Sequence, residues 1–223
     1  MNAPIEWTWL GLCAFEEALA FQEARWRSRR QGGPDSCLAL EHPPTVTLGR
    51  RATSADLCVT EAQLARHGIA CAATERGGGA TYHGPGQLVL YPIVALGPRG
   101  FGVAGFVWTL EQVMIEIAAA FGVRADRNPR GRGVWTARGK LGAVGIRVRE
   151  GISMHGLALN VATDLVPYGL IVPCGIPHLP ITSLVREGAC AASVATVLPV
   201  AEHVCTRLLD VRSRRAAADE VSA

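Results

Sequence analysis

Of the 22 basic residues in this 223-residue chain, one is a lysine, Lys140, and the other 21 are arginines. A genome rich in Arg codons accounts for the arginines but not for the lone exception. A guanidinium does not give up its proton in a protein, whereas a desolvated amine does. Lys140 opens the apolar stretch Lys140-Leu141-Gly142-Ala143-Val144-Gly145-Ile146-Arg147, whose small residues leave room for a ligand. A surface lysine at a strand edge is the plainer alternative. The second chemical candidate is Cys174, set between Pro173 and Gly175. That segment cannot be a regular helix, which suits a nucleophile presented on a fixed turn, although core packing is the usual fate of a free cysteine. A thiol with the ordinary pKa of ~8.5 is only slightly ionised near neutral pH, and a neighbouring ammonium favours the thiolate. Together the two residues suit acyl transfer in two steps. The sulfur takes the acyl group as a thioester and releases it again, while the amine handles the proton.

A third segment, Arg76-Gly77-Gly78-Gly79-Ala80-Thr81-Tyr82-His83-Gly84-Pro85-Gly86-Gln87, carries three successive glycines. Bare main chain lets a ligand approach closely, and free amides donate to an oxyanion. No Lys-Ser or Lys-Thr follows, so this is not a phosphate-binding P-loop. Glycine content alone fits a flexible surface turn equally well. His83 stays open between base, orienting group and structural residue. The stretch Ser153-Met154-His155-Gly156-Leu157-Ala158-Leu159-Asn160 is expected on a strand beside Lys140, lining the same cavity.

The elements that must position these residues follow from periodicity. Phe15, Leu19, Gln22 and Trp26 predict a helix over 12–29, ended by Gly32-Gly33-Pro34-Asp35. Short strands are expected at 37–40, 46–48 and 69–74, with a helix at 61–66. Residues 75–86 read as too polar for a core element. Continuous apolar character makes 87–96 a buried strand. Val107, Leu110, Met114, Ile117 and Phe121 form one stripe of a helix over 103–121, with Gly122 as its C-cap. Residues 124–139 read as a basic, glycine-rich loop with a strand at 134–137. Strands at 141–148 and 153–161 join through the turn Arg149-Glu150-Gly151. Residues 167–180 are irregular, and 193–207 are mainly helical despite Pro199. Hairpins and separated helices favour an α+β class: a single domain over 1–213 with a mixed β-sheet flanked by helices. A disordered polar tail is expected at 214–223.

Composition narrows the function. Hydrophobic residues make up 49% and charged residues 18%, enough for a sizeable core. A net charge of +3 is too small for nucleic-acid binding, which needs a concentrated basic face. No continuous apolar run reaches membrane-spanning length. The first residues lack a basic start before an apolar stretch, so a cytoplasmic protein is expected. The seven cysteines contain no Cys-x-x-Cys pair, which argues against a disulfide framework or a zinc site.

In order, RGGGATYHGPGQLVLYPI at 76–93, GKLGAVGIRV at 139–148, SMHGLALNV at 153–161 and IVPCGI with ITSL at 171–184 resemble the octanoyltransferases of lipoate synthesis. The resemblance spans roughly residues 40–185. It implies the fold of lipoate and biotin protein ligases. It implies transfer of an octanoyl or lipoyl group from acyl carrier protein to a lysine of lipoyl domains, those of 2-oxoacid dehydrogenase complexes and the glycine cleavage H protein. It carries the thioester nucleophile onto Cys174 and the lysine that favours the thiolate onto Lys140. It carries acyl-binding contacts onto Arg76, Gly77, Gly78, Gly79, Ala80, Thr81, Tyr82, His83, Ala143, Val144, Gly145, Gly156, Leu157 and Ala158. No ATP, metal or other cofactor is implied, because the donor thioester is already activated. Met154 departs from the family, standing where an aromatic is expected, and Gly79-Ala80 varies within the loop. Other readings are an ATP-dependent ligase, whose glycine loop continues with His-Asp rather than His83-Gly84, a cysteine thioesterase, and a carrier-protein binding module. Arg124, Arg127, Arg130, Arg132 and Arg138 are either a patch that steers an acidic carrier or a solvated polar loop.

Overall fold

The computed structural model describes residues 4–210 except Arg130 and His178, and of Cys174 the main chain only. The tail expected at 214–223 lies outside the described residues. The chain runs β1 (Glu6–Leu12), α1 (Phe15–Arg30), β2 (Ser36–Glu41), β3 (Thr45–Leu48), α2 (Glu61–Arg66), β4 (Ala70–Ala73), β5 (Ala80–His83) and β6 (Gln87–Ile93). It continues with α3 (Val103–Ala120), β7 (Asp126–Asn128), β8 (Gly131–Trp135), β9 (Lys140–Arg149), β10 (Ile152–Asn160) and α4 (Val194–Leu209). A seven-stranded sheet has the order β1-β2-β6-β10-β9-β8-β7, and a three-stranded sheet the order β4-β3-β5. In each sheet one pair is parallel, β1 with β2 and β3 with β4; the other pairs are antiparallel. The mixed sheet and flanking helices are the architecture that the sequence predicts.

Each face of the large sheet has its own core. Ala18 and Trp26 of α1 meet Leu38, Leu40, Val89, Tyr91, Ile93 and Met154 on one side. On the other, Phe106, Leu110, Val113, Met114 and Ile117 of α3 pack with Val197, Ala201 and Leu209 of α4 over Leu88, Leu90, Leu141, Leu157 and Leu159. A strand covered on both sides must be apolar throughout, and every residue of β6 and β10 is buried. With 18 residues and a mean hydropathy of 1.4, α3 equals a membrane span in length and composition, yet its stripe is spent on this core. The β9–β10 hairpin turns on Glu150 (φ 52°) and Gly151 (φ 75°) between paired Arg149 and Ile152. Two positive φ values are what a two-residue type I′ turn requires.

Three expectations need correction. Residues 75–86 contain β5, because the small sheet takes Thr81 and its neighbours as a paired strand despite their polarity. The basic stretch 124–139, expected as a loop with one strand at 134–137, has two strands, β7 and β8, that finish the large sheet. Ahead of the first expected helix, to which the sequence assigned no element, Glu6–Leu12 form edge strand β1 on β2.

Glycine 156 marks the tightest contact in the large sheet. A methyl group there would lie 2.1 Å from the Leu90 carbonyl oxygen and 2.7 Å from Pro92 Cδ. Gly156→Ala is expected to lower stability by about 1–3 kcal/mol through overpacking. Gly105→Ala, in α3 with open space around it, should raise stability by up to ~1 kcal/mol. Urea unfolding midpoints check this; midpoints that shift the same way for both variants would refute the packing account.

Candidate active site

A cavity of about 540 Å³ lies where the glycine loop and β5 of the small sheet face β9 and β10 of the large one. Its position follows from two joins. The Gly77 amide donates to the Ile146 carbonyl at 2.9 Å, laying the loop along β9. The Arg76 guanidinium, 8% exposed, then staples the loop to β3. It donates to the Thr47 carbonyl (2.7 Å), Thr47 Oγ1 (2.9 Å), the Gly79 carbonyl (2.9 Å) and the Gly77 carbonyl (3.1 Å). Side chains are kept out where the two sheets meet: a Cβ on Gly145 would lie 3.0 Å from the Gly77 carbonyl oxygen.

Of the residues expected to contact an acyl group, Arg76, Gly77, Gly78, Gly79, Ala80, Thr81, His83, Ala143, Val144, Gly145, Gly156, Leu157 and Ala158 line this cavity. Tyr82 does not. Strand alternation turns it into the small core with Val46, Leu64 and Ile171, with its ring edge-on to Tyr168. Met154 likewise points into the α1 core and does not border the cavity, so its departure from an aromatic leaves the cavity lining unchanged. The Gly77 amide is taken by Ile146 and is not free to bind an oxyanion.

Beside Arg76 the cavity meets a cluster of buried histidines and their partners. His83 Nδ1 lies 2.7 Å from Gln87 Oε1, and its Nε2 lies 3.3 Å from Thr47 Oγ1. His42 bridges the Cys13 carbonyl (2.7 Å) and the Tyr91 hydroxyl (2.8 Å). His155 Nε2 is 3.4 Å from Thr74 Oγ1, and its backbone amide donates to Gln22 Oε1 of α1 at 2.7 Å. His155 sits at φ 54°, in the left-handed region where a side chain is strained. Burial lowers the pKa of all three histidines: His42 moderately, His83 well below its ordinary value, and His155 to about 4 with help from Arg76 and Arg147. Burial also raises the Tyr91 phenol. At neutral pH these histidines are therefore uncharged, and the charge beside them is the Arg76 guanidinium on Thr47.

Lys140 lines the cavity at the head of β9 and is 5% exposed, so it is not a surface lysine. Its Nζ lies 5.5 Å from the centroid of the Trp135 ring. Gly133 (φ 109°) makes room for the stem, since a Cβ there would lie 2.9 Å from Lys140 Cε. The distant segment that carries Cys174 is fastened beside it. The Lys140 amide donates to the Pro180 carbonyl at 2.8 Å, and the Thr182 amide returns a bond to the Lys140 carbonyl at 3.0 Å. At its other end, the Val172 amide donates to the Asp56 carbonyl at 2.8 Å. Between these anchors Pro173–Gly175 makes one short 3-10 turn. Ile176 lines the main cavity, and Pro173 borders a small void of about 10 Å³ together with Lys140, Thr81 and Tyr168. Both flanks of Cys174 thus border space that Lys140 also borders; the Cys174 side chain lies outside the described residues.

Several lining residues were not picked out from sequence. Phe15, Arg51, Tyr91, Glu111 and Ile176 also line the cavity. Glu111 is 2% exposed, accepts from the Gly133 amide at 2.9 Å and pairs with Arg127 at 3.3 Å. Its signal was an acid beside the apolar stripe of α3. Gln22 gave the same kind of signal, a polar side chain within the buried stripe of α1. Of the basic stretch, Arg127 and Arg132 line the cavity, Arg138 does not, and Arg130 lies outside the described residues.

Comparison with known proteins places these features. Residues 14–205 match the family described as lipoyl protein ligase A/B catalytic domain. An octanoyltransferase of Desulfotalea psychrophila is 47% identical over 182 residues, 80% of this chain and 82% of that protein. The mitochondrial octanoyltransferase LIP2 of Arabidopsis thaliana is 41% identical over 214 residues, 95% of this chain and 88% of that one. The structure resembles a bipartite lipoate protein ligase from Thermoplasma acidophilum, with a TM-score of 0.76 at 18% identity over 93% of this chain and 84% of that one. A biotin protein ligase from Aquifex aeolicus shares the fold more loosely, with a TM-score of 0.55 at 12% identity over 92% and 70%. At such identities the likeness concerns the fold.

The buried histidines carry a pH signature. An unfolded histidine titrates near 6.5, whereas folded His155 titrates near 4. Between those values the unfolded chain binds more protons, so stability falls as pH drops through the window. His155→Asn keeps a residue that tolerates positive φ and should flatten the slope of stability against pH from 6.5 downward. Denaturant midpoints across a pH series measure this; an unchanged slope would remove His155 from the account.

Proposed function

This chain belongs to the lipoyl protein ligase A/B catalytic domain family, and we propose that it transfers octanoyl groups in lipoate biosynthesis through a thioester on Cys174. Octanoyl transfer itself is supported by relatives of 41–47% identity over most of the chain. The observation that carries the mechanism is the fastening of the 171–182 segment onto the Lys140 backbone at the end of the cavity.

The Cys174 thiolate attacks the carbonyl carbon of an octanoyl thioester presented by acyl carrier protein. A carbon–sulfur bond to Cys174 forms, the bond to the carrier sulfur breaks, and the leaving thiolate takes a proton from the Lys140 ammonium. The acceptor is the neutral amine of a lysine on a lipoyl domain, of a 2-oxoacid dehydrogenase complex or of the glycine cleavage H protein. It attacks the Cys174 thioester, an amide bond forms, and Cys174 departs as thiolate. Lys140 takes the proton that the amine sheds, which restores the starting pair. The acyl chain lies in the cavity among Gly77–Gly79, Ala143–Gly145 and Gly156–Ala158, where small residues and Leu157 give apolar contact. The donor thioester supplies the activation, so no nucleotide takes part. Arg51, Arg127 and Arg132 at the cavity add positive potential that draws in acidic protein partners. A cytoplasmic location goes with these soluble partners.

Intact mass after incubation with octanoyl-carrier protein, without ATP, tests this reading. The wild-type chain should gain one octanoyl group, and Cys174→Ala should gain none and fail to modify a lipoyl domain. Lys140→Ala should slow both half-reactions by about 10²-fold or more and move alkylation of Cys174 to higher pH. An alkylation profile that does not move would exclude Lys140 from the proton step. A requirement for ATP would replace the transferase reading with a ligase.

A further inference from the structure

Beyond the acyl cavity, a second depression of about 710 Å³ lies on the far side of the Pro173–Gly175 turn. Its walls are apolar, with Ile171, Val172, Leu179 and Pro180 among them. Its rim carries two exposed guanidinium groups, Arg138 and Arg186. Arg138 is tied to the Arg186 main chain, its Nη1 donating to that carbonyl at 3.0 Å. Among the described residues neither has an acidic partner. The nearby carboxylate of Glu187 is taken up by the hydroxyls of Thr136 and Thr182.

The groove and the acyl cavity are joined at Lys140. The small void between them shares Thr81, Lys140 and Ala143 with the cavity, and Tyr168, Pro173 and Ile181 with the groove. At about 10 Å³ it holds roughly one water-sized sphere. Going outward, the acyl cavity is followed by this small void at Lys140, then by the groove with its apolar residues, then by Arg138 and Arg186.

We propose that this groove binds the phosphopantetheine arm of the acyl donor, with its phosphate on Arg138 and Arg186. The inference rests on the octanoyl-transfer reading above and adds where the donor lies. Such an arm ends in a thin ethylene-thiol segment, which suits the small void beside Lys140. It thickens through amides and a branched apolar centre, which suits the groove with Ile171, Val172, Leu179 and Pro180. It closes with a phosphodiester, for which a guanidinium is the preferred partner. An acceptor lysine offers the same thin end but carries a positive charge and no anion for the rim.

The test uses two small donors, octanoyl-pantetheine with and without its 4′-phosphate, and reads acylation of the full chain by intact mass. Wild type should use the phosphorylated donor about tenfold better, a difference of about 1.4 kcal/mol. The double variant Arg138→Gln/Arg186→Gln should lose that preference while using the unphosphorylated donor at the wild-type rate. The variant Arg51→Gln/Arg132→Gln, at the acyl cavity, should keep it. No preference in wild type, or a preference that survives in the groove variant or disappears in the cavity variant, would overturn the proposal. Wild type that is acylated by both donors without preference sinks the groove alone. Wild type that neither donor acylates sinks the transferase mechanism and the groove with it.

Discussion

The arrangement depends on a short stretch of backbone pairing: residues 180–182 lie alongside Lys140 and exchange two hydrogen bonds with its main chain. Each such bond contributes only about 1 kcal/mol net, but their placement decides the chemistry. Residues 171–182 form no long element, and a proline-rich segment without such ties would sample many conformations. Pairing at Pro180 and Thr182 fixes one end, and the bond from Val172 to Asp56 fixes the other. The turn at 173–175 packs against β5, and its Pro173 borders the small void that Lys140 also borders. The same pairing fixes the direction of β9 at its first residue, so one contact sets both the lysine and the turn. Asn160 reinforces it by donating to the Thr182 carbonyl at 3.0 Å while accepting from Gln87, which in turn contacts His83. The Lys140 edge of the cavity and its histidines are therefore connected through one buried polar network, where satisfied partners favour a single geometry.

The cavity exists because side chains are missing where strands would otherwise fill the space. Gly142, Gly145 and Gly156 lie on the two central strands, and a methyl group on any of them meets backbone or a neighbouring side chain within about 3 Å. Their absence lets main chain approach main chain, which draws the glycine loop onto β9 and leaves a slot beside it. Polar side chains at the slot's end do not spoil it for an acyl chain. Each of His42, His83 and Gln87 has a partner, and burial keeps the histidines uncharged. The strain at His155, of order 1–3 kcal/mol for such a conformation, is sustained by packing on every side of β10. Strain held at the wall of a ligand cavity is where a fold tolerates it.

Much of this was legible in the sequence because the relevant signals were local. Helical stripes, the two-residue hairpin turn and the glycine run each follow from spacing within a dozen residues. The lone lysine stood out by composition, and a cysteine between proline and glycine by its neighbours. What escaped was set by distant partners. Nothing in residues 75–86 announces that β3 will accept 80–83 as a strand, and nothing in 124–139 announces two strands at the end of a sheet. Tyr82 was grouped with its cavity-lining neighbours because a motif has no faces, whereas a strand has two and turns alternate residues away. Gln22 and Glu111 were visible as polar residues on apolar stripes. Their targets, His155 and Gly133, lie 133 and 22 residues away along the chain.

The division of identities among the relatives fits a division of labour within the fold. At 17–18% identity the lipoate ligases keep the architecture with TM-scores near 0.75, so the sheets and helices do not by themselves choose between activation by nucleotide and transfer from a ready thioester. The fold alone leaves that choice to residues at its sites. At the cavity edge of this chain stand Lys140, at 5% exposure beside Gly133 and Trp135, and the turn clamped next to it. The core behind them is built from strands buried on both faces, and it tolerates little substitution. The clamp in front is a handful of backbone bonds on a proline-rich segment. A rigid slot beside a loosely tied rim leaves room for residues at the rim to change without disturbing the core behind it.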